Sequence, residues 1–329
     1  MPSHDVMPNM ELYQPVQVED ALAIADRLAD RGWLVGGGQD TYGWLKDRAK
    51  SVDALIDLSA IESLRGIRDL DGGIEIGALT TITEVATSAK IKQSFSLLSD
   101  AAAVVASPQI RNVGTLGGNV SQDVRCWYYR RGLSCYRAGG NLCYADTPQG
   151  MNREHSLFET SRCVAASPSD TAPALVALDA TMVIRSLNGE RTLSAQDYFV
   201  GPAIDILNTT ALRPGEILTA VRIPATWANA TFYFEKVADR NVWDFALVNV
   251  AAAFKLSNGT VEDCRIVCGA VQTTPRRVTN VEDALRGQPK NAATAEAVAP
   301  MATDGARALA HNGFKIPLMQ NLVKRAISA

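Results

Sequence analysis

The sequence predicts an α+β protein in which a small α/β unit precedes a larger middle region and a C-terminal sheet with helices. Residues 17–58 carry a helical apolar pattern and two short apolar strands. Residues 231–271 carry three apolar strands in close succession, which is typical of a three-stranded antiparallel sheet. Residues from 291 onward are alanine-rich and are predicted to be helical. Segregation of strands and helices along the chain indicates an α+β fold.

The first unit is predicted to begin with a helix over residues 17–31, because apolar residues recur at helical spacing until Gly32. A short strand over residues 33–35 then runs into three glycines, and a second helix is predicted to begin near Thr41. Residues 54–58 form a second strand, so we place the end of this unit near residue 58.

The middle of the chain mixes strands, helices and loops. Residues 74–78 alternate as a strand, and residues 80–106 carry two helical stretches. The glycine-rich residues 110–120 are predicted to be a loop. Residues 182–185 and 191–193 are predicted to form a hairpin with Asn188-Gly189 as its turn. In the C-terminal sheet, Ser257-Asn258-Gly259 is predicted to connect the last two strands.

The bulk composition is that of an ordinary globular protein. Of 329 residues 47% are hydrophobic and 20% charged, and a net charge of −3 does not favour a nucleic-acid partner. The longest apolar runs, residues 101–106 and 248–254, are too short to span a bilayer, so we expect no membrane insertion. The N-terminal residues MPSHDVMPNMELYQP contain no export signal, which indicates a cytoplasmic protein.

Two glycine clusters are candidate ligand-binding loops. The first cluster follows a strand and comprises Gly36, Gly37 and Gly38. Free backbone amides ahead of a helix can hold a phosphate, but a tight turn without a ligand explains the same glycines equally well. The second cluster precedes Asn119 and comprises Gly114, Gly117 and Gly118. Neither the Rossmann nor the P-loop motif occurs here, and two such loops suit the two phosphates of a dinucleotide.

Four of the six cysteines lie in one polar segment of the chain, namely Cys126, Cys135, Cys143 and Cys163. The segment has no sustained apolar period, so we expect no packed core there, and a metal centre or a cross-link would be needed to order it. Four thiolates can close a tetrahedral zinc site or hold an iron–sulfur cluster. Without an export signal, a disulfide framework is disfavoured. Cys264 and Cys268 share one face of a predicted strand and are expected to be core thiols.

Acid–base groups are scarce. The chain has three histidines, and no Ser/His/Asp or Cys/His pair stands out, so we assign no catalytic residue to this chain. Asp170, Lys236, Arg240 and Asp244 are the charged residues of interest, although each taken singly is more often a solvated surface residue. The chain is better equipped to hold a cofactor that performs the chemistry.

Five segments together resemble, in order, the FAD-binding medium subunit of the xanthine oxidase family of molybdenum hydroxylases. They are LVGGGQDTYGWLK (34–46), RNVGTLGGNV (111–120), SPSDTAPALVALDA (167–180), RPGEILTAVRIP (213–224) and FEKVADRNVWDFALVNVAAAF (234–254). The resemblance covers nearly the whole chain. It implies a two-part FAD-binding domain of the vanillyl-alcohol oxidase (PCMH) type, with parts at residues 1–58 and 59–226, and a C-terminal flavoprotein domain at 227–329.

The resemblance also implies the residues that bind FAD. One phosphate region would be surrounded by Val35, Gly36, Gly37, Gly38, Gln39 and Asp40. The other would be served by Thr115, Gly117, Gly118 and Asn119. Asp170 would contact the ribose or adenine side, while Leu218 and Lys236 match positions near the bound FAD, where a cation would stabilise reduced flavin. Gly36 and Gln39 depart from the family's usual Ala-Gly-Gly-Thr-Asp pattern.

The cysteine segment forms an insertion at residues 122–164, between two motifs that are nearly adjacent in most of the family. This resembles the subgroup with an extra 4Fe–4S cluster, which includes 4-hydroxybenzoyl-CoA reductases and periplasmic-type bacterial aldehyde oxidoreductases, and the aldehyde branch is more similar. The ligands would be the four clustered cysteines. Their irregular spacing without C-x-x-C disfavours a zinc ribbon.

The resemblance implies an electron-transfer subunit of an aldehyde-oxidising complex. Its partners would be a large subunit with the molybdenum cofactor and a small subunit with two 2Fe–2S clusters, in a heterotrimer or a dimer of heterotrimers. FAD would pass electrons to an external acceptor, and export with a partner would place the complex in the periplasm. Three alternatives stay open: a subunit acting on hydroxybenzoyl-CoA or N-heterocycles, an autonomous flavin oxidoreductase, and a zinc-holding interaction module without flavin.

Overall fold

A computed structural model describes residues 7–329 of the chain. The first unit is a small parallel sheet. The strand order is β1-β3-β2, with all pairs parallel, and the elements are β1 (Glu11–Tyr13), α1 (Val18–Leu28), β2 (Gly32–Val35), α2 (Thr41–Lys46) and β3 (Ala54–Asp57). The apolar stripe of α1 is buried against Ile56 and Leu58. The helices and two strands predicted for this unit are confirmed, whereas β1 was missed because three residues carry too short a pattern.

The middle region is built on a five-stranded antiparallel sheet with the order β4-β5-β8-β6-β7. Its strands are β4 (Ile67–Leu70), β5 (Gly73–Gly77), β6 (Thr181–Ser186), β7 (Gly189–Ser194) and β8 (Ile217–Pro224). Its helices are α3 (Ile82–Thr87), α4 (Ala89–Ser94), α5 (Ser96–Ala103), α6 (Pro108–Val113), α7 (Leu116–Val120), α8 (Trp127–Arg130), α9 (Thr171–Ala177) and α10 (Ala195–Tyr198). The predicted hairpin is confirmed as β6–β7. Its turn is Leu187 and Asn188, since Gly189 already pairs with Ser186.

The predicted loop over residues 110–120 is wrong, because most of it forms α6 and α7. Thr115 caps α7 by accepting a hydrogen bond from the Gly118 amide at 3.1 Å. Gly117 stays in the helix because it packs so closely on Ala78 that an added Cβ would lie 2.9 Å from the Ala78 Cβ. The glycines of this segment therefore allow close packing as well as turns.

The C-terminal unit is a four-stranded antiparallel sheet covered by helices. The strand order is β12-β11-β10-β9, formed by β9 (Thr231–Val237), β10 (Val248–Ser257), β11 (Thr260–Gly269) and β12 (Arg276–Arg277). The helices are α11 (Thr279–Leu285), α12 (Ala292–Val298) and α13 (Lys315–Ser328). The three predicted strands are confirmed, and the two-residue β12 is an addition. The predicted helical tail is confirmed over Ala292–Val298 and Lys315–Ser328, whereas residues 304–314 between them are not helical.

Alternate residues of β10 bury the two faces of this sheet. Val250 and Phe254 pack towards α11–α13, whereas Ala251 and Ala253 join the core of the middle region. Cys264 and Cys268 are fully buried on the helix-covered face, which confirms them as core thiols.

Short 3-10 turns complete the chain at Ala29–Arg31, Glu62–Leu64, Tyr136–Ala138, Ala225–Trp227 and Ala299–Thr303. Over residues 7–329, no helix has both the length and the apolar character needed to cross a membrane.

Candidate functional site

The two glycine loops meet in a cleft of about 430 Å³. The first loop contributes Gly36, Gly38, Gln39 and Asp40 to its wall, and the second contributes Gly114, Thr115, Gly118 and Asn119. Asp170 also lines this cleft. The structure thus brings together most of the residues predicted to bind a dinucleotide, although they come from distant parts of the chain.

The first loop needs glycine for its backbone conformation. Gly37 and Gly38 have φ values of 93° and 72°, in the left-handed region that side chains disfavour. A Cβ on Gly37 would also lie 2.4 Å from the Val113 carbonyl oxygen. Within the described chain, the amides of Gly37, Gly38 and Gln39 have no hydrogen-bond acceptor. They can therefore donate to a phosphate at the end of β2.

The second loop is clamped to the first. The Thr115 hydroxyl donates to the Gly36 carbonyl at 2.9 Å while it accepts from the Gly118 amide. Gly118 is exposed and lines the cleft, and a Cβ there would lie 2.8 Å from the Gly36 carbonyl oxygen. Gly117 is buried and absent from the cleft wall. Its glycine is required by packing on Ala78, so the two adjacent glycines are required for different reasons.

Asn119 is held in the cleft wall from behind. Its Oδ1 accepts hydrogen bonds from the hydroxyls of Ser169 at 2.6 Å and Thr171 at 2.7 Å. Because the oxygen is fixed by two donors, the amide nitrogen is left to serve a ligand. Sequence reasoning selected Asn119 but did not identify Ser169 and Thr171 as its supports.

Asp40 is neutralised by two arginines. Its carboxylate forms ion pairs with Arg125 and, at 3.2 Å, with Arg130, and it accepts from the Trp44 ring nitrogen at 3.0 Å. Arg125 itself lines the cleft, and burial lowers its pKa while Asp40 opposes that shift. A carboxylate paired in this way does not repel a phosphate, and Arg125 adds a guanidinium that the sequence analysis did not identify.

Asp170 and Lys236 form one buried ion pair. The Lys236 ammonium lies 2.6 Å from the Asp170 carboxylate, and the side chains are 8% and 4% exposed. Lys236 also donates to the Val104 carbonyl at 3.1 Å, and Asn249 donates to Asp170 at 3.0 Å. Burial raises the pKa of Asp170 and the lysine opposes that rise. The resemblance assigned these residues to separate contacts with FAD, whereas here each satisfies the other.

Val35 and Leu218 lie away from the cleft wall. Val35 is 4% exposed and packs with Leu45 and Leu55. Leu218 is buried in β8 and lines a second cavity of about 780 Å³, which shares Gly36, Thr115 and Gly118 with the cleft. Both residues shape the surroundings of the glycine loops from the core side.

The four clustered cysteines converge on one cavity. Cys126, Cys135, Cys143 and Cys163 all line a small space of about 20 Å³. Cys135 and Cys163 are buried, and the other two are partly buried. The expectation that this segment lacks a packed core is wrong, because Val124, Tyr129 and two of the cysteines pack on Trp44 of the first unit. The apolar partner lies far away in sequence, so no local period reveals it.

Buried nitrogen groups surround these sulfurs. Arg137 donates from Nε to the Cys163 sulfur at 3.1 Å, and its other two guanidinium nitrogens are buried without a partner in the described structure. His155 Nε2 lies 3.4 Å from the Cys126 sulfur, and burial lowers the pKa of this histidine to about 4. Burial also raises the pKa of the Cys126 thiol to about 12. Metal coordination would deprotonate such thiols and supply the negative charge that Arg137 lacks.

Among the described residues, the cysteines around the cavity do not form a site for a single metal ion. Among residues 7–329 no three His, Cys, Asp or Glu side chains come close enough to hold one metal ion. Zinc–sulfur bonds of about 2.3 Å would bring tetrahedral thiolates within about 3.8 Å of one another. The described side chains around this cavity do not match that geometry.

Two aromatic rings and the Lys50 ammonium lie between the cleft and the cysteine cavity. Trp33 and Lys50 line the cleft, and Tyr129 lines the cysteine cavity. The Lys50 ammonium pairs with Asp123 at 2.5 Å and lies 5.2 Å from the Trp33 ring and 5.8 Å from the Tyr129 ring. The two candidate sites are thus neighbours that share a wall. None of these four residues was singled out from the sequence.

Known protein families and individual proteins match this chain over nearly its whole length. Residues 8–226 match the model of the FAD binding domain in molybdopterin dehydrogenase, and residues 233–329 match the CO dehydrogenase flavoprotein C-terminal domain. The chain is 30% identical over 321 residues to the aldehyde oxidoreductase FAD-binding subunit PaoB of Escherichia coli (strain K12), covering 96% of both. It is 27% identical to the carbon monoxide dehydrogenase medium chain of Hydrogenophaga pseudoflava, covering 98% of both. A solved structure of carbon monoxide dehydrogenase from that organism superposes with a TM-score of 0.78 at 26% identity, covering 98% of this chain and 97% of the other.

Proposed function

This chain belongs to the family of FAD-binding subunits of molybdenum hydroxylases, and we propose that it carries a 4Fe–4S cluster in addition to FAD. It is an oxidoreductase subunit, as its relatives are. When bound, the two cofactors supply electron transfer between partner chains and an external acceptor. We assign residues 1–58 and 59–226 to the FAD-binding parts and 227–329 to the C-terminal domain.

The observation that carries the cluster is the set of four cysteines lining one cavity beside an unpaired guanidinium. A buried charge without a counter-charge is costly, so Arg137 favours an anionic occupant. A four-iron cluster bound by four thiolates has this charge and uses all four sulfurs. The residues that would hold it are Cys126, Cys135, Cys143 and Cys163.

The cleft supports the assignment of the FAD diphosphate. The free amides of the first loop would donate to one phosphate, and Gly118 leaves room for close approach of the other. Asn119 and Arg125 would provide a side-chain amide and a cation at the same wall. Asp40 and Asp170 would act through the partners they hold, since both carboxylates are already paired.

An aldehyde is the substrate class we favour, because the relative at 30% identity is named as an aldehyde oxidoreductase subunit. Oxidation would take place on a large partner subunit that holds the molybdenum cofactor. A small partner subunit with two 2Fe–2S clusters would deliver the electrons to FAD in this chain. We propose a heterotrimer of these three chains, or its dimer.

A visible spectrum and the identity of co-purifying chains test this function. Flavin bands with a broad iron–sulfur shoulder, in a complex with two further subunits, are expected. Flavin alone with substrate turnover by the isolated chain would instead identify an autonomous flavin oxidoreductase. A colourless protein with bound zinc would identify an interaction module and contradict both cofactor assignments.

A further inference from the structure

We infer that Arg137 is a positioning residue that raises the reduction potential of the cluster held by the four cysteines. The inference rests on the proposed cluster and concerns a residue that the ligand assignment leaves out. Its basis is the placement of one guanidinium, which is buried against the sulfurs and has no carboxylate at hydrogen-bonding distance among the described residues, Asp123 acting on it only at longer range.

The fold places Arg137 at the cavity by a tight local structure. The 3-10 turn Tyr136–Ala138 follows directly after Cys135, so Arg137 lies two residues beyond a proposed ligand. Gly139 adopts φ of 80°, and a Cβ on Gly140 would lie 2.0 Å from the Ser134 carbonyl oxygen. Glycines at both positions let the chain fold back over the turn, which holds the side chain inwards.

The side chain is almost completely removed from water. Arg137 is 4% exposed, and both of its terminal nitrogens are buried without a hydrogen-bond partner among residues 7–329. Two partly buried arginines of the chain are paired with carboxylates. Arg277 pairs with the fully buried Glu282 at 2.7 Å, and Arg130 pairs with Asp40. Arg137 alone among these three faces sulfur atoms in place of a carboxylate.

An anionic occupant of the cavity would provide a counter-charge in direct contact with Arg137. Neutral thiols are weak acceptors, whereas hydrogen bonds from a guanidinium to a negatively charged acceptor are stronger and offset more of the cost of burial. Thiolates around an iron–sulfur core provide this charge, and hydrogen bonds to such sulfurs are an established means of setting cluster potential. The Nε–H donor already lies 3.1 Å from the Cys163 sulfur.

The sign of the effect follows from the charge change. The cluster gains one negative charge on reduction, so a nearby buried cation stabilises the reduced form more than the oxidised form. Arg137 therefore makes the cluster easier to reduce. Its removal should therefore lower the potential of the cluster.

Arg162 offers a matched control. It lines the same cavity, but its guanidinium donates to the Pro202 carbonyl at 2.9 Å, so its hydrogen bond points away from the sulfurs. Arg162→Met removes an arginine from the cavity wall without removing a donor to sulfur. A general loss of packing would affect both variants, whereas a specific effect on the cluster should be confined to Arg137.

The test is a redox titration of the intact complex, prepared without air and followed by the EPR signal of the reduced cluster. Arg137→Met is expected to shift the reduction equilibrium at least tenfold towards the oxidised form, which is about 59 mV for one electron. Arg162→Met should shift it much less. An unchanged potential in Arg137→Met, with iron content intact, would overturn the inference while leaving the cluster assignment in place.

Two further outcomes are decisive. If Arg137→Met fails to retain iron, Arg137→Lys is compared, because it keeps the charge and loses the planar donor. Retention of iron by the lysine variant supports the requirement for a cation, and loss from both overturns the view that charge is what Arg137 supplies. Wild-type protein without iron would refute the proposed function itself, independently of any substitution.

Discussion

Replacement of Lys236 by methionine tests how the buried ion pair contributes to the molecule. In the native structure the ammonium lies 2.6 Å from the Asp170 carboxylate, and only Asn249 would remain as a side-chain donor to Asp170 in the variant. Removing one partner of a buried pair leaves an uncompensated charge and costs about 3–5 kcal/mol. We therefore expect a large loss in the free energy of unfolding.

The loss should depend on pH with a defined sign. Burial raises the pKa of Asp170, and the lysine that opposes this rise is absent from the variant. A carboxyl with a raised folded-state pKa is protonated at little cost in acid and is penalised as pH rises through that pKa. The stability difference between wild type and Lys236→Met should thus be largest at neutral pH and shrink on acidification.

Urea denaturation followed by tryptophan fluorescence at two pH values measures this difference. The double variant Lys236→Met/Asp170→Asn is the control and should recover most of the loss, because no buried charge is left unpaired. In the double variant the flavin potential should be unchanged, since the native pair and its replacement both carry no net charge. A variant with native stability and an altered flavin potential would show that Lys236 acts as a free cation beside the flavin, contrary to this reasoning.

Three further substitutions address the two cofactor sites and the C-terminal unit. Gly118→Val places a side chain within 2.8 Å of a carbonyl of the first loop and should abolish FAD retention, which is measured as flavin released on denaturation. Gly313→Val is the control and should keep FAD, because a Cβ there has only one contact, at 3.8 Å. Cys135→Ser should lose iron and the reduced-state EPR signal while FAD stays bound. The control Cys264→Ala should retain the iron. Iron loss in Cys264→Ala but not in Cys135→Ser would refute the ligand set. Burial lowers the pKa of Lys315 to about 7. The free energy of unfolding of the wild type should therefore rise as pH increases from about 7 to the pKa of this lysine in the unfolded chain. Denaturation at pH 7 and 9 measures this rise, which should vanish in Lys315→Met.

Local patterns were sufficient for the elements whose cores are periodic. The apolar spacing of α1 and the apolar run of β10 both predicted elements that the structure confirms. The glycine-rich residues 110–120 misled the prediction, because Gly117 serves helix packing on Ala78. Glycine composition alone does not separate a close helix contact from a loop.

In the candidate site, too, some features could be predicted from the sequence and others could not. Clustered cysteines and paired glycine loops are visible in the sequence, and the structure brings each set together. Arg137, Lys50 and Arg125 were not identifiable, since their roles arise from contacts with residues distant in sequence. The pairing of Lys236 with Asp170 was hidden for the same reason, as the two residues lie on β9 and at the start of α9.

We propose that this one chain holds both FAD and, on its four converging cysteines, a four-iron cluster. Metal and flavin analysis of protein isolated without air tests it most directly. We expect roughly four irons for the four cysteine ligands, one FAD and no stoichiometric zinc per chain. One zinc per chain with iron absent would contradict the cluster, and protein that retains neither iron nor flavin would contradict both sites.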